Sequence, residues 1–242
     1  IIAANVDLVF LLITINNPPT FTTFIDRFLV TARAYRIDVV LVFNKIDSYA
    51  IEERAEILYL KDIYEAIGYT CIEVSATNGK NVDVVQKLMV DKTSMFVGHS
   101  GVGKSTLVNA IEPSLDLKTK EISVQHSQGQ HTTTFAEMFD LSFGAKIIDT
   151  PGIKGFGVVD MSKEELGDYF PEFFALKQDC KFNNCLHLEE PRCAVKKALD
   201  NDELAFSRYR SDCQIYSQVM YKGKSYSYNQ VSKLTEQKMK VL

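Results

Sequence analysis

The 242-residue chain has no apolar run long enough to cross a membrane. Val6–Ile15 contains Asp7 and stops at Asn16-Asn17-Pro18-Pro19, well short of the about 20 apolar residues a spanning helix needs. It also has no basic leader, so no signal peptide is expected. The chain begins at Ile1, without methionine and directly in what reads as a strand, so a preceding segment is expected. It lacks an even set of cysteines. There are five, three of them clustered late beside a histidine, which points to a metal site in a reducing compartment rather than a disulfide framework, and hence to the cytoplasm. Nor is there an excess of basic charge: the net charge is −4, not that of a dedicated nucleic-acid binder. The distribution is uneven, because Ala194–Leu242 holds nine Lys/Arg against five Asp/Glu, or +4, leaving −8 for the rest. Any electrostatic affinity for RNA therefore belongs at the C-terminal end, where Lys222, Lys224, Lys233, Lys238 and Lys240 lie among tyrosines.

What is present is a globular composition, 46% hydrophobic and 24% charged. Its length suits one full α/β core with a small appendix, or two domains. The organising stretch is Gly98-His99-Ser100-Gly101-Val102-Gly103-Lys104-Ser105-Thr106, a phosphate-loop pattern. It follows the apolar Thr93–Val97 and runs into the helix-like Thr106–Ile111, the strand, turn and helix that the pattern requires. Glycines let the backbone curl so that N–H groups point inward, and the helix N-terminus adds positive potential. A polyphosphate fits there, with Lys104 reaching its β- and γ-phosphates and the Ser105 hydroxyl on the bridging Mg²⁺.

Val6–Ile15 and Asp38–Phe43 read as strands buried on both faces. Between them Phe21, Phe24, Ile25, Phe28, Leu29 and Ala32 make one helical stripe. The second strand delivers Asn44-Lys45-Ile46-Asp47 to its carboxyl end, where open α/β sheets bind ligands. By itself Asp47 could be a helix N-cap. Asn-Lys-x-Asp also resembles the guanine-recognition motif of GTPases, whose aspartate accepts from N1–H and the exocyclic amine of guanine. In that resemblance Asn44 ties the base site to the phosphate loop and the Lys45 stem lies along the base. After a helix over 51–67 and a strand over 70–74, Ser75-Ala76 resembles the second guanine contact, with the Ala76 N–H meeting guanine O6. His131-Thr132-Thr133-Thr134 resembles a first switch, with Thr133 completing the Mg²⁺ shell. Asp149-Thr150-Pro151-Gly152 resembles a second, with Asp149 on Mg²⁺ through water and the Gly152 N–H sensing the γ-phosphate.

The order is unusual, because residues 44–47 and 75–76 precede 98–106, whereas in ordinary GTPases the phosphate loop comes first. The sheet is expected to be circularly permuted. With the later Cys180, Cys185, His187 and Cys193, this order closely resembles the RsgA (YjeQ) family, bacterial GTPases of small-ribosomal-subunit maturation that the subunit stimulates. The fold expected is α/β: a circularly permuted P-loop GTPase domain with a mostly parallel sheet over residues 1–157, then a small, mainly helical zinc-binding domain over 158–242. The resemblance implies GTP/GDP, Mg²⁺ and one structural Zn²⁺ as ligands, the small subunit and its rRNA as partners, no membrane, and a monomer. Family members carry an N-terminal OB-fold that this chain does not contain. Three thiolates and one imidazole make a complete tetrahedral set for zinc. Ile153 stands where Ras-like enzymes place a water-orienting Gln, so either another group acts or hydrolysis is slow until a partner supplies one, and His131 is the candidate within the chain, to which the family resemblance also points. A nucleotide-gated binding module with little hydrolysis stays open beside the hydrolase; against a phosphate-loop ATPase or kinase stands Asp47.

Overall fold

A computed structural model describes residues 5–115, 137–149 and 161–220. They fall into two compact units, Ile1–Thr20 with Ile37–Gly155, and Phe21–Arg36 with Phe156–Leu242.

The first unit is built on a six-stranded sheet. Its strands are β1 (Leu8–Ile13), β2 (Asp38–Phe43), β3 (Thr70–Glu73), β4 (Thr93–Val97), β5 (Glu137–Asp140) and β6 (Lys146–Asp149), in the order β3-β2-β1-β4-β6-β5. All neighbours are parallel except β5 against β6. Every residue of β1 is buried, which explains why its sequence is continuously apolar and not alternating. Its neighbours are set in register by Leu11↔Leu41 on one side and Leu11↔Val97 on the other. Leu8, Phe10, Leu12, Val40, Val42 and Ile72 point to one face and share a core with two helices of this unit, α3 (Val82–Met89) and α4 (Lys104–Ile111). Those helices supply Val82, Val85 and Met89, and Leu107, Val108 and Ile111, at the three- and four-residue spacing of a helical face. Each fully buried side chain among them contributes about 1.5–3 kcal/mol. A further helix, α2 (Ile51–Ala66), buries Ile57, Leu60 and Tyr64 and ends before Gly68, whose φ of 94° is the left-handed turn expected after a helix. The strand order places β1 and β4, whose onward connections run to opposite sides, next to each other. Their carboxyl ends form the crevice where such sheets take ligands.

The second unit comprises α1 (Thr22–Ala34), a short 3₁₀ turn Leu166–Tyr169, α5 (Pro171–Lys177), α6 (Ala194–Asp200) and α7 (Phe206–Met220). The sequence-based boundary at 157/158 puts residues 21–36 with the first domain, whereas compactness groups them with the second unit. The physical reason is what α1 buries. Ile25, Phe28, Leu29, Val30 and Ala32 are within 1% of full burial, while Phe21 is 69% exposed and falls off the stripe. Asp26, fully buried on the same helix, accepts from Arg208 Nη1 at 2.5 Å. Arg208 also donates to both Glu172 oxygens, at 2.6 and 3.2 Å, and its guanidinium stands 4.6 Å over the Phe170 ring.

One turn beyond Arg208 lies Asp212, wholly buried, its carboxyl pushed up to about 8 by burial, a shift opposed by Arg208 and reinforced by Glu172. The folded state therefore holds a proton that the unfolded chain releases near its ordinary 3.8. Stability of this unit falls as pH rises through that window and levels off above about 8. Asp212→Asn should flatten that slope and raise the melting temperature at pH 8.5 by about 5 °C or more. Thermal melts of both proteins at pH 6 and 8.5 check this, and parallel slopes would refute it.

Candidate functional site

The phosphate-loop segment leaves β4 and enters α4 through two glycines that no other residue could replace. At Gly98 (φ 152°) a Cβ would meet Leu12 O at 2.8 Å; at Gly103 (φ 96°) it would run into Asn44 Nδ2. Lys104 Nζ folds back to donate to Gly98 O at 2.7 Å and His99 O at 2.8 Å. His99 is half-buried, and burial together with the nearby Lys104 lowers its pKa. The shift favours the neutral imidazole and leaves Lys104 as the loop's cation. Ser105 and Thr106 lie in the first turn of α4, Ser100 and Gly101 are exposed at the tip, and Val102 is fully buried beneath.

Asn44 is the joint between this loop and the base-reading turns. It is 1% exposed; its Nδ2 donates to Val102 O at 2.9 Å and its Oδ1 accepts from Ala76 N at 3.2 Å. A single carboxamide thus holds the segments from 44–47, 75–76 and 98–106 together, although the chain visits them out of the usual order. Ser75 Oγ donates to Asp47 Oδ1 at 2.5 Å, fixing the carboxylate by a charge-assisted bond. Ile46 N donates to Val74 O at 3.4 Å, so the 44–47 turn is laced to the end of β3. Lys45 has the left-handed φ of 65° and its ammonium donates to Asn17 O at 2.6 Å. The Ala76 N–H, assigned to guanine O6 by resemblance, is engaged by Asn44, so it reaches a base only by sharing or exchanging that bond. Asp149 ends β6; His131, Thr133, Ile153 and Gly152 lie outside the described residues, as does the basic segment from Lys222 onward.

The second cluster is in the other unit. Ligand atoms of Cys180, Cys185, His187 and Cys193 all lie within 4.8 Å of one another, and all four residues are buried. Cys193 and Cys180 Sγ are 3.5 and 3.8 Å from His187 Nδ1. A tetrahedral zinc with bonds of 2.3 Å to sulfur and 2.0–2.1 Å to nitrogen has S···N edges of roughly 3.5 Å, so the donor set is compatible with one such ion. Burial pushes the Cys185 thiol up to about 12 and raises Cys193 as well, while Ala194 N and Lys196 N donate to Cys180 and Cys193 sulfurs at 3.3 and 3.5 Å.

Sequence reading missed the residues that hold His187. Its ring stands edge-on to Phe173 at 5.7 Å, and a Cβ on Gly167 would sit 3.2 Å from it. Tyr209 OH donates to its carbonyl at 2.9 Å. Glu190 accepts from Leu186 N and Leu188 N at 3.1 and 3.0 Å; burial disfavours its charge, but these donors outweigh it and lower the pKa. Glu190 was within reach of inspection, an acid three residues past the ligand; nothing in spacing marks Gly167 or Tyr209.

A mostly parallel sheet, a phosphate loop at its switch point and an Asn-Lys-x-Asp turn bonded to that loop define a phosphate-loop GTPase with circularly permuted order. The profile of the RsgA GTPase family matches residues 1–159. The chain belongs to that family. The Small ribosomal subunit biogenesis GTPase RsgA of Christiangramia forsetii is 72% identical over 89% of this chain and 68% of its own length, and that of Flavobacterium psychrophilum 66% identical over 89% and 66%. The chain thus spans about two thirds of those relatives. Among solved structures, YjeQ from Thermotoga maritima aligns with a TM-score of 0.77 at 34% identity, covering 90% of this chain and 72% of that one. YloQ, a circularly permuted GTPase, aligns with a TM-score of 0.75 at 31% identity, covering 92% and 71%.

Proposed function

We propose that this chain hydrolyses GTP in the biogenesis of the small ribosomal subunit, the role its relatives' names carry. The observation that supports it most is Asn44, bonded at once to Val102 O and Ala76 N, which unites a triphosphate grip with a base-choosing turn. Asp47, held by Ser75, accepts from the two guanine donors. Lys104 exchanges the Gly98 and His99 carbonyls for β- and γ-phosphate oxygens and stabilises the charge that builds on them as the γ-phosphoryl leaves. Ser105, Thr133 and Asp149 are the residues that would hold Mg²⁺, which neutralises phosphate charge when bound. His131 orients the attacking water in place of the side chain that Ile153 lacks. Cys180, Cys185, His187 and Cys193 hold one structural Zn²⁺, with no open position for chemistry.

The chain acts as a cytoplasmic monomer on the small subunit and its rRNA, and the subunit accelerates turnover. Among the described residues no helix is long and apolar enough to cross a membrane. Phosphate release is measured with GTP or ATP, with and without small or large subunits. Slow GTP turnover of the order of 10⁻⁴ to 10⁻² s⁻¹ should rise sharply with small subunits only, and Asp47→Asn should weaken GTP relative to a base lacking the exocyclic amine. Preference for ATP by the unaltered protein would end this reading; GTP binding without hydrolysis under any condition would leave a nucleotide-gated binding module.

A further inference from the structure

The loop at the carboxyl end of β1, residues 14–20, carries none of the nucleotide motifs, yet it touches both segments that do. Thr14, 1% exposed, closes it: Oγ1 donates to Pro18 O at 2.6 Å, Thr14 N donates to Thr20 Oγ1 at 3.2 Å, and Thr20 N donates to Thr14 O at 2.8 Å. At the loop's tip the Asn17 carbonyl receives the Lys45 ammonium at 2.6 Å. Next to it Pro18 Cδ lies 3.4 Å from the point where a side chain on Gly101 would begin. The base of the loop is braced from the Asn44–Asp47 side, by Tyr49, whose hydroxyl accepts from Ile15 N at 3.1 Å, and by Glu53, which accepts from Asn16 Nδ2 at 2.9 Å.

We infer that Thr14 is a positioning residue for the nucleotide: by closing this loop it sets the Asn17 carbonyl that aims Lys45 and seats Pro18 against the phosphate loop. This rests on the reading that Lys45 and residues 98–105 hold a guanine nucleotide. A lysine is a point charge on a four-carbon stem that is costly to immobilise. Pinned beforehand by a fixed carbonyl, the stem meets the base without losing that freedom on binding, and affinity gains from the preorganisation. The carbonyl is fixed only while the loop is shut. Without the Thr14 hydroxyl, Pro18 O loses its donor and the loop opens toward water.

Fluorescent GDP titrated into the full chain tests this in five forms: unaltered, Thr14→Val, Thr14→Ser, Lys45→Met, and Thr14→Val with Lys45→Met. Thr14→Val should weaken binding about tenfold, and Thr14→Ser, which keeps the hydroxyl, should restore it to within about twofold of the unaltered protein. The double variant should bind no worse than the weaker single one, because both changes remove the same restraint. Unchanged affinity in Thr14→Val overturns the inference, as does a double variant whose loss is the product of the two. If Thr14→Val does not fold, Thr20→Val, which removes the acceptor of Thr14 N, goes through the same cycle. Failure of the unaltered chain to bind GDP at all would instead remove the nucleotide reading beneath it.

Discussion

Arg208→Ala should cost the second unit about 3–5 kcal/mol, the range for breaking a buried ion pair from one side. Arg208 is 1% exposed, Asp26 not at all and Glu172 10%, so water screens none of these charges appreciably. The substitution removes the cation between two carboxylates that were brought into the interior on its account, with Asp212 a third acid close by. It also strips the guanidinium from the face of Phe170, losing cation–π attraction and packing together. Helical signal from this unit should melt about 12 °C lower or more. The informative comparison is Arg208→Met with Asp26→Leu and Glu172→Leu. Replacing a whole buried ion cluster by apolar groups of similar volume is often neutral or stabilising, so that triple variant should recover most of the loss. An alanine variant melting within about 2 °C of the unaltered protein would show the cluster to be energetically idle.

That cluster marks what sequence reading could not reach. The apolar spacing of α1 says that one face is buried but not against what, and a helix between two strands invites the assumption that it covers their sheet. Asp26 interrupts the same face, and its partner Arg208, with the Glu172 that Arg208 also holds, is far along the chain. No local pattern joins them. By contrast, residues 44–47 and 98–106 were legible because backbone chemistry dictates their composition. Gly103 shows how far this goes: the pattern demands glycine, and the structure adds why, since a side chain would displace the Asn44 amide that ties the two motifs. Thr14 and Thr20 escaped notice for the opposite reason. Two threonines flanking a proline turn read as ordinary loop residues, and only the folded chain brings their bonds, Lys45 and Gly101 to one place.

With Cys180, Cys185, His187 and Cys193 holding the zinc proposed above, its withdrawal is expected to have the largest effect of all. In small domains, metal binding free energy is folding free energy, on the order of 10 kcal/mol or more for thiolate-rich zinc sites. The second unit's own core, centred on Phe170, Phe173, Val195 and Ile215, includes Cys180, Cys185 and Cys193 as buried members. The candidate ligands and the core are therefore one cluster, and losing a bound ion should open both. The four ligands run from the turn just after α5 to the N-cap of α6, where Cys193 accepts from Lys196 N. Without a cation, three sulfurs and an imidazole buried within 4.8 Å of one another have only weak N–H···S bonds to set against their desolvation. A strong chelator, or Cys185→Ser, should abolish amide-exchange protection across 161–220, while nucleotide affinity of the first unit changes by no more than about twofold, since none of its gripping bonds involves these residues. One zinc per chain should be found by elemental analysis, and re-addition should restore protection. Protection that survives complete metal removal would mean that the apolar core alone holds this unit, and that the cluster is a binding site rather than a fastener.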